Sequence, residues 1–335
     1  MSYRVGVAAA SDAGERLAAD LAGVVGDLGV RLDLVPVRID RLTYGKDSAA
    51  GMAVLRGTRA VFRPDLAAKR AAPGLSWVFV LRKELRLSVN ERTFRGIGAR
   101  RGTVTTVVRE NSEGSYLGEG GTLHAGTDEE VATQGSVNTY AAVRRCVRHA
   151  FALAREAGSD LMLAHKPGVL QFAGPLWQRV LESTGRDEFP GVGCETVAID
   201  VACAQVVADP ARYRVIVTDN MFGDIISDVA GAAVGASWYS ASAEVNVHGD
   251  GPSLFEPMHA SGIAVAAPLA EHAAFLGGAS AVAALLTTLG EIGLGRALTE
   301  AVLTTAEGAT PVPCRQDLAA QLAAAARAAL REVPA

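Results

Sequence analysis

A chain of 335 residues with 49% apolar content is long enough for two lobes or one large α/β domain around a substantial core. Its 32 Lys and Arg against 36 Asp and Glu give a net charge of −4 with no basic tract, which argues against a nucleic-acid partner. No apolar run reads as long enough for a bilayer span. The first residues lack a signal-peptide layout, and Cys146, Cys194, Cys203 and Cys314 show no Cys-x-x-Cys spacing, so the expectation is a cytoplasmic protein with reduced thiols and neither a zinc site nor a disulfide framework.

Residues 4–38 read as strand, helix, strand: Arg4-Val-Gly-Val-Ala, then Ala13 to Leu28, then Arg31-Leu-Asp-Leu-Val-Pro-Val. A strand at Thr103–Glu110 runs into a polar loop bearing acids and glycines. An amphipathic helix is predicted from about Ser136 to Ala157, with Val137, Ala141, Arg144, Val147 and Phe151 at helical spacing. Leu161-Met-Leu-Ala reads as a strand ending at His165-Lys166-Pro167. Tyr213-Arg-Val-Ile-Val217 reads as another strand, after which Gly223 turns the chain into a helix beginning at Asp224. Alanine-rich helices follow at Ser280–Leu289 and Leu318–Leu330. The alternation predicts an α/β fold.

Asp224 and Asp228 stand four apart on the predicted helix, one turn apart on one face. Two carboxylates held so close repel unless a cation sits between them, and a hard divalent ion with oxygen ligands, Mg²⁺ or Mn²⁺, suits them; the plain alternative is a capping Asp224 beside a solvated Asp228. Asp200 lies inside the apolar run Thr196-Val-Ala-Ile-Asp-Val-Ala-Cys, where burial without a cation is costly, and is the third ligand candidate. Arg82, Arg92 and Arg109 are candidates for planar, bidentate capture of carboxylates; Arg109 is best placed, since it ends an apolar strand. Tyr116 lies in the polar loop after it, and Lys166 closes a strand where a shifted pKa would suit an acid or base. Taken singly, each also reads as a surface residue.

Together these residues resemble the β-decarboxylating isocitrate/isopropylmalate dehydrogenase family. Arg82 and Arg92 stand ten apart in Leu81-Arg-Lys-Glu-Leu and Asn90-Glu-Arg. Arg109-Glu-Asn-Ser-Glu-Gly-Ser-Tyr116 and Asp219-Asn-Met-Phe-Gly-Asp-Ile-Ile-Ser-Asp228 match family segments, and Lys166 falls at its strand-end lysine. Gly120-Gly-Thr-Leu-His-Ala-Gly-Thr, Ile199-Asp-Val-Ala-Cys-Ala and Pro252-Ser-Leu-Phe-Glu-Pro-Met-His look most like the tartrate/D-malate branch. The resemblance covers roughly residues 76–260. It implies a two-lobed fold unlike a Rossmann domain, with 1–88 plus 236–335 as one domain, 89–235 as the other, and the site in the crevice between them. It implies a small malate-like diacid bound by Arg82, Arg92 and Arg109, and Mg²⁺ or Mn²⁺ on Asp200, Asp224 and Asp228. Lys166 would act near the 2-hydroxyl and Tyr116 would protonate the enol, while Glu256 and His259 would be NAD(P) contacts. A homodimer with shared sites is also implied, Lys166 and Asp200 coming from the neighbour.

The nucleotide layer departs from the family pattern. A glycine-rich opening turn is replaced by Ala8-Ala-Ala-Ser-Asp-Ala-Gly-Glu15. The segment after His259, Ala260-Ser-Gly-Ile-Ala-Val-Ala-Ala-Pro268, is shortened and lacks counterparts of an aspartate and an asparagine that hold the nucleoside. Near the C-terminus stands Thr310-Pro-Val-Pro-Cys-Arg315. Three readings follow: an NAD(P)-linked oxidative decarboxylase with an altered adenosine pocket, a metal-dependent decarboxylase without net redox change, and a non-catalytic binding homologue.

Overall fold

Strands and helices alternate from the first residues. The structure is a computed structural model that describes residues 1–65, 71, 75–258, 267–308 and 315–332, with backbone alone at 267–269 and 332. In chain order it begins β1 (Ser2–Ala9), α1 (Asp12–Gly26), β2 (Arg31–Arg38), α2 (Ser48–Arg56), β3 (Ala60–Phe62), α3 (Trp77–Glu84), β4 (Val89–Arg95) and β5 (Val104–Glu110). Two short strands, β6 (Gly120–Leu123) and β7 (Val131–Gln134), precede α4 (Tyr140–Ala157), β8 (Leu161–His165), α5 (Ala173–Glu188), β9 (Cys194–Ala198), α6 (Ile199–Ala208), β10 (Val215–Thr218) and α7 (Asn220–Val234). The chain continues through β11 (Ala241–Val245), β12 (Leu254–Pro257), α8 (Ala267–Thr288), α9 (Ile292–Glu307) and α10 (Arg315–Glu332).

Two compact units result. The first takes Met1–Leu87, Arg92–Thr103 and Val234–Ala335; the second takes Ser88–Glu91 and Val104–Ala233. In the first unit the sheet runs β2-β1-β3-β12-β11, parallel except for the antiparallel β11–β12 pair. One buried cluster under it joins Met52 and Leu55 of α2 to Trp77, Val80 and Leu81 of α3. Helices α8, α9 and α10 pack on one another, and α8 also lies on β12. The expectation that no apolar run reaches bilayer length is corrected by α8, whose Ala270–Thr288 stretch is long and apolar enough by composition. Packing explains the composition: Phe275, Leu276, Ala279, Leu285 and Leu286 are all buried, as befits a helix with neighbours on several sides.

The second unit is a parallel sheet in the order β5-β10-β8-β9. Every residue of β8 and β10 is buried, as expected of parallel strands covered on both faces. Helix α4 begins at Tyr140 rather than near Ser136, because Thr139 caps it: its Oγ1 accepts from the Ala142 N–H at 3.2 Å. Gly158, at φ 59°, ends it in the left-handed region that favours glycine. Gly223 does not turn the chain as expected. It lies inside α7, and Asp219 opens that helix, its Oδ1 accepting from the Phe222 N–H at 2.8 Å.

Helix α9 depends on one small residue. A Cβ at Gly295 would lie 2.2 Å from Thr287 Oγ1 and 2.8 Å from the Ala283 carbonyl of α8. Helix propensity alone favours alanine by about 1 kcal/mol. The contact reverses that preference, so Gly295→Ala is expected to destabilise by roughly 1–3 kcal/mol in urea denaturation, through forced separation of the two helices.

Candidate active site

The strand order of the second unit brings its chemistry to one edge. In register, Thr218 of β10 pairs with Arg109 of β5, and His165 of β8 pairs with Ala198 of β9. Four adjacent strands therefore end together, and the residues that follow or close them are Arg109 and Glu110, Asp219, His165 and Lys166, and, one residue into α6, Asp200. Ligands of open parallel sheets collect at this carboxyl edge.

Arg109 is the best-held side chain there, only 1% exposed. Its Nε and Nη2 both donate to Asn220 Oδ1, at 2.9 and 2.7 Å, and its Nη1 donates to Asp224 Oδ1. Asn220 is steadied in turn by its Nδ2, which donates to the Glu113 carbonyl at 2.8 Å. Glycine at 223 makes the room: a Cβ there would meet the Arg109 Cγ at 2.6 Å. The guanidinium also lies over the Tyr116 ring, 5.1 Å from its centroid. Tyr116 completes the cluster by donating its hydroxyl to Asp224 Oδ2 at 2.9 Å. Partial burial, with the Asp224 hydrogen bond and charge, pushes the phenol up, so it stands protonated at neutral pH. Asp224 thus has one oxygen on a guanidinium and the other on a hydroxyl. Asp228 lies one turn on, exposed.

The loop carrying Tyr116 is built on a carboxylate. Buried Glu110 accepts from the Ser112 N–H at 3.0 Å and the Glu113 N–H at 2.7 Å, while burial pushes its own pKa up. Glu113 then ties the loop to α4, accepting from Thr139 N–H and Oγ1–H at 2.6 and 2.8 Å.

Lys166 donates to Asp200 Oδ1 at 2.5 Å, and this bond first of all holds the Asp200 carboxyl below its usual range. Asp200 is not the buried acid its sequence predicts. Its side chain is 65% exposed, in the first turn of α6, a helix that leaves Val201 and Val207 open as well. Asp200, Asp224 and Asp228 do not converge within one chain: among the described residues no group of three or more His, Cys, Asp or Glu is arranged to hold a metal ion. Asp224 and Asp228 still offer hard oxygen donors on one helix. The guanidinium and hydroxyl on Asp224 show that its oxygens already attract a cation and a donor. That pair fits Mg²⁺ or Mn²⁺, ions that keep waters and need one or two carboxylates plus substrate oxygens.

The first unit holds the other predicted residues. Arg82 donates from Nε and Nη2 to Glu244 Oε1, at 2.9 and 2.7 Å, and Arg92 lies half-buried on β4. Glu256 is turned inward: 6% exposed, it takes the guanidinium of Arg63, itself 3% exposed. Its carboxylate is committed within the chain and does not fit a nucleotide contact. His259, residues 260–266 of the shortened segment that follows it, and 310–314 lie outside the described residues.

The isocitrate/isopropylmalate dehydrogenase family model matches residues 54–327. The chain belongs to that family. It is 43% identical over 224 residues to the 3-isopropylmalate dehydrogenase of Corynebacterium urealyticum, covering 66% of this chain and 65% of that protein. It is 48% identical over 155 residues to the enzyme of that name from Rhodococcus erythropolis, covering 46% of each. The matched stretch thus spans about half to two thirds of the length of these curated relatives. The whole fold is shared with isocitrate dehydrogenase from Methylococcus capsulatus, at TM-score 0.77 and 25% identity over 97% of this chain and 99% of that one. It is also shared with the TT0538 protein of Thermus thermophilus, at TM-score 0.76 and 24% identity over 99% of this chain and 68% of that one.

Sequence reading passed over His165 and Asp219. His165 is wholly buried, neither ring nitrogen has a hydrogen-bond partner among the described residues, and its Nε2 lies 3.7 Å from Asp219 Oδ2. Trp177 and Phe222 flank the ring. Burial lowers His165 to about 4, so it is neutral at pH 7. Burial pushes Asp219 up to about 6, with the Phe222 N–H and the Arg109 charge pulling against it. An aspartate titrates near 3.9 in the unfolded chain. A raised carboxyl favours the protonated form, so this contribution to stability is full below pH ~4. It is lost as pH rises through about 6, a change on the order of 3 kcal/mol. Asp219→Asn keeps an acceptor for Phe222 without the charge. Urea denaturation of that variant is expected to show a gain of roughly 1–3 kcal/mol at pH 8 that vanishes towards pH 4.

Proposed function

We propose that the chain catalyses divalent-metal-dependent decarboxylation of a small malate-, tartrate- or isopropylmalate-like diacid. The observation that carries this reading is the contact of buried Arg109 with the partly exposed Tyr116 and Asp224, a cation, a hydroxyl donor and a carboxylate held together. Asp224 and Asp228 would hold Mg²⁺ or Mn²⁺, which when bound supplies a Lewis acid beside the substrate's 2-oxygen and carboxylate. Arg109 orients the substrate by pairing with a carboxylate, and the family resemblance assigns Arg82 and Arg92 the same task. Loss of CO₂ leaves an electron pair on carbon, and Tyr116 returns a proton to it. Lys166 would hold or accept the proton of the 2-oxygen.

Family resemblance adds NAD(P) and an oxidation before the CO₂ leaves; the second reading omits both. The residues of the second unit serve either form. The internally committed Glu256 favours the reaction without net redox change.

A homodimer is part of this proposal. Lys166 and Asp200 are paired with each other, apart from any three-carboxylate group, and would serve the partner's site. Helices α6 and α7 leave Val201, Val207, Met221 and Ile225 exposed. The antiparallel β6–β7 ribbon has all eight residues exposed. An isolated two-strand ribbon is marginal in water, so its full exposure supports a dimer in which a second copy would cover it.

Asp224→Asn is expected to abolish Mn²⁺-dependent turnover while far-ultraviolet circular dichroism stays unchanged; full activity would remove Asp224 from the metal site. Tyr116→Phe is expected to lower kcat by about 10²–10⁴ with little change in KM. An effect confined to KM would make Tyr116 a binding residue.

A further inference from the structure

Ligands of an open α/β sheet collect at the carboxyl ends of its strands where the strand order reverses, here at β1 between β2 and β3; a dinucleotide there needs free N–H donors for its phosphates and an uncommitted acceptor for its ribose hydroxyls. In the first unit the chain's own charged side chains already meet both. At the β1–α1 turn, Asp65 accepts from the Ala10 N–H at 2.7 Å and from the Ser11 hydroxyl at 2.5 Å. Ser11 in turn caps α1, accepting from the Gly14 N–H at 3.1 Å. Asp65 also fills the space above the first turn: a Cβ on Gly14 would lie 2.6 Å from its carboxyl carbon. An anion thus already occupies the positive end of the helix, with Asp12 and Glu15 beside it in the first turn. A second independent layer is the buried charge where Arg63, just past β3, takes Glu256 of β12, and the Arg82–Glu244 pair on α3 and β11. These carboxylates already carry guanidinium partners.

We infer that Asp65 and the Arg63–Glu256 pair take up the nucleotide seat of the first unit, so that the protein binds no NAD(P) and its substrate is a 2-oxo acid with a carboxylate on C3. This rests on the proposed decarboxylase site and fixes the oxidation state of its substrate. With no hydride acceptor, a 2-hydroxy acid has no route to the carbonyl that makes C3–carboxylate cleavage possible. The carbonyl must therefore be installed beforehand by a separate oxidation. The bond between C3 and its carboxylate breaks, and CO₂ departs. The electron pair becomes the C2–C3 double bond of an enolate, and C3 takes the Tyr116 proton as the carbonyl re-forms; solvent then reprotonates Tyr116. One proton is consumed per CO₂ released and nothing is oxidised.

The test uses the full chain with Mn²⁺, titrated by calorimetry with NAD⁺, NADP⁺, NADH and NADPH. In parallel, CO₂ release from oxaloacetate in nucleotide-free buffer is followed by carbon NMR, with Asp224→Asn as the background for metal-catalysed breakdown. The expected result is no saturable heat up to about 1 mM nucleotide. CO₂ release should exceed the variant's and change by less than about twofold when NAD⁺ is added. A saturable isotherm with Kd below about 100 μM would overturn the inference and leave the metal site standing. Paramagnetic resonance showing no bound Mn²⁺, together with CO₂ release equal to the variant's, would overturn the decarboxylase reading on which the substrate assignment rests, whatever the nucleotides do.

Discussion

Burial of the Arg109 guanidinium is the constraint around which the second unit's site is arranged. A permanent cation that is 1% exposed is tolerated only when its donors are met by anionic or strongly polar acceptors. Asn220 meets two of them and Asp224 a third, both from the first two turns of α7. That requirement fixes where α7 starts, why position 223 has no side chain, and how the loop from Glu110 to Tyr116 folds back. A glycine there is a packing necessity rather than a turn. The same requirement leaves the Asp224 oxygens lying between a guanidinium and a phenol, a setting in which a further cation or an acidic substrate alters every partner at once.

The two units use charge in opposite ways. In the second, acids and bases are drawn to the ends of parallel strands, and several keep exposed faces: Tyr116, Asp228, Asp200 and part of Asp224. In the first, Asp65 is taken up by the Ala10 N–H and the Ser11 hydroxyl, and Arg63 and Glu256 by each other. Charges that can still exchange partners can take part in chemistry. Charges that have found internal partners hold the fold together and leave less for a ligand.

The α/β class was legible from alternation alone, and the two segments 109–116 and 219–228 stood out because their chemistry is contiguous in sequence. Contact among Arg109, Tyr116 and Asp224 follows from strands that end in register. Elsewhere sequence distance hid the physics. Arg63 meets Glu256 across 193 residues and Arg82 meets Glu244 across 162, and no local pattern announces either pair. Asp200 was misread because an apolar run was taken as a buried one; α6 instead leaves Val201 and Val207 on the surface while burying Val206. His165, adjacent to Lys166, passed unnoticed because what makes it unusual is its aromatic enclosure by Trp177 and Phe222, from other elements. The apolar length of α8 is masked in the sequence by its small alanines and glycines, which still pack on α9, β12, β11 and α1.

Buried ion pairs carry their own logic about reversibility. Compared with well-packed apolar side chains, such a pair adds little net stability, yet removing one partner strands the other at about 3–5 kcal/mol. That is a large fraction of the roughly 5–15 kcal/mol that holds a typical domain together. Once Arg63 is seated against Glu256, a change at either position alone is penalised, and freeing the carboxylate for a ligand requires both to change together. The arrangement in the first unit is therefore held in place by the cost of its intermediates.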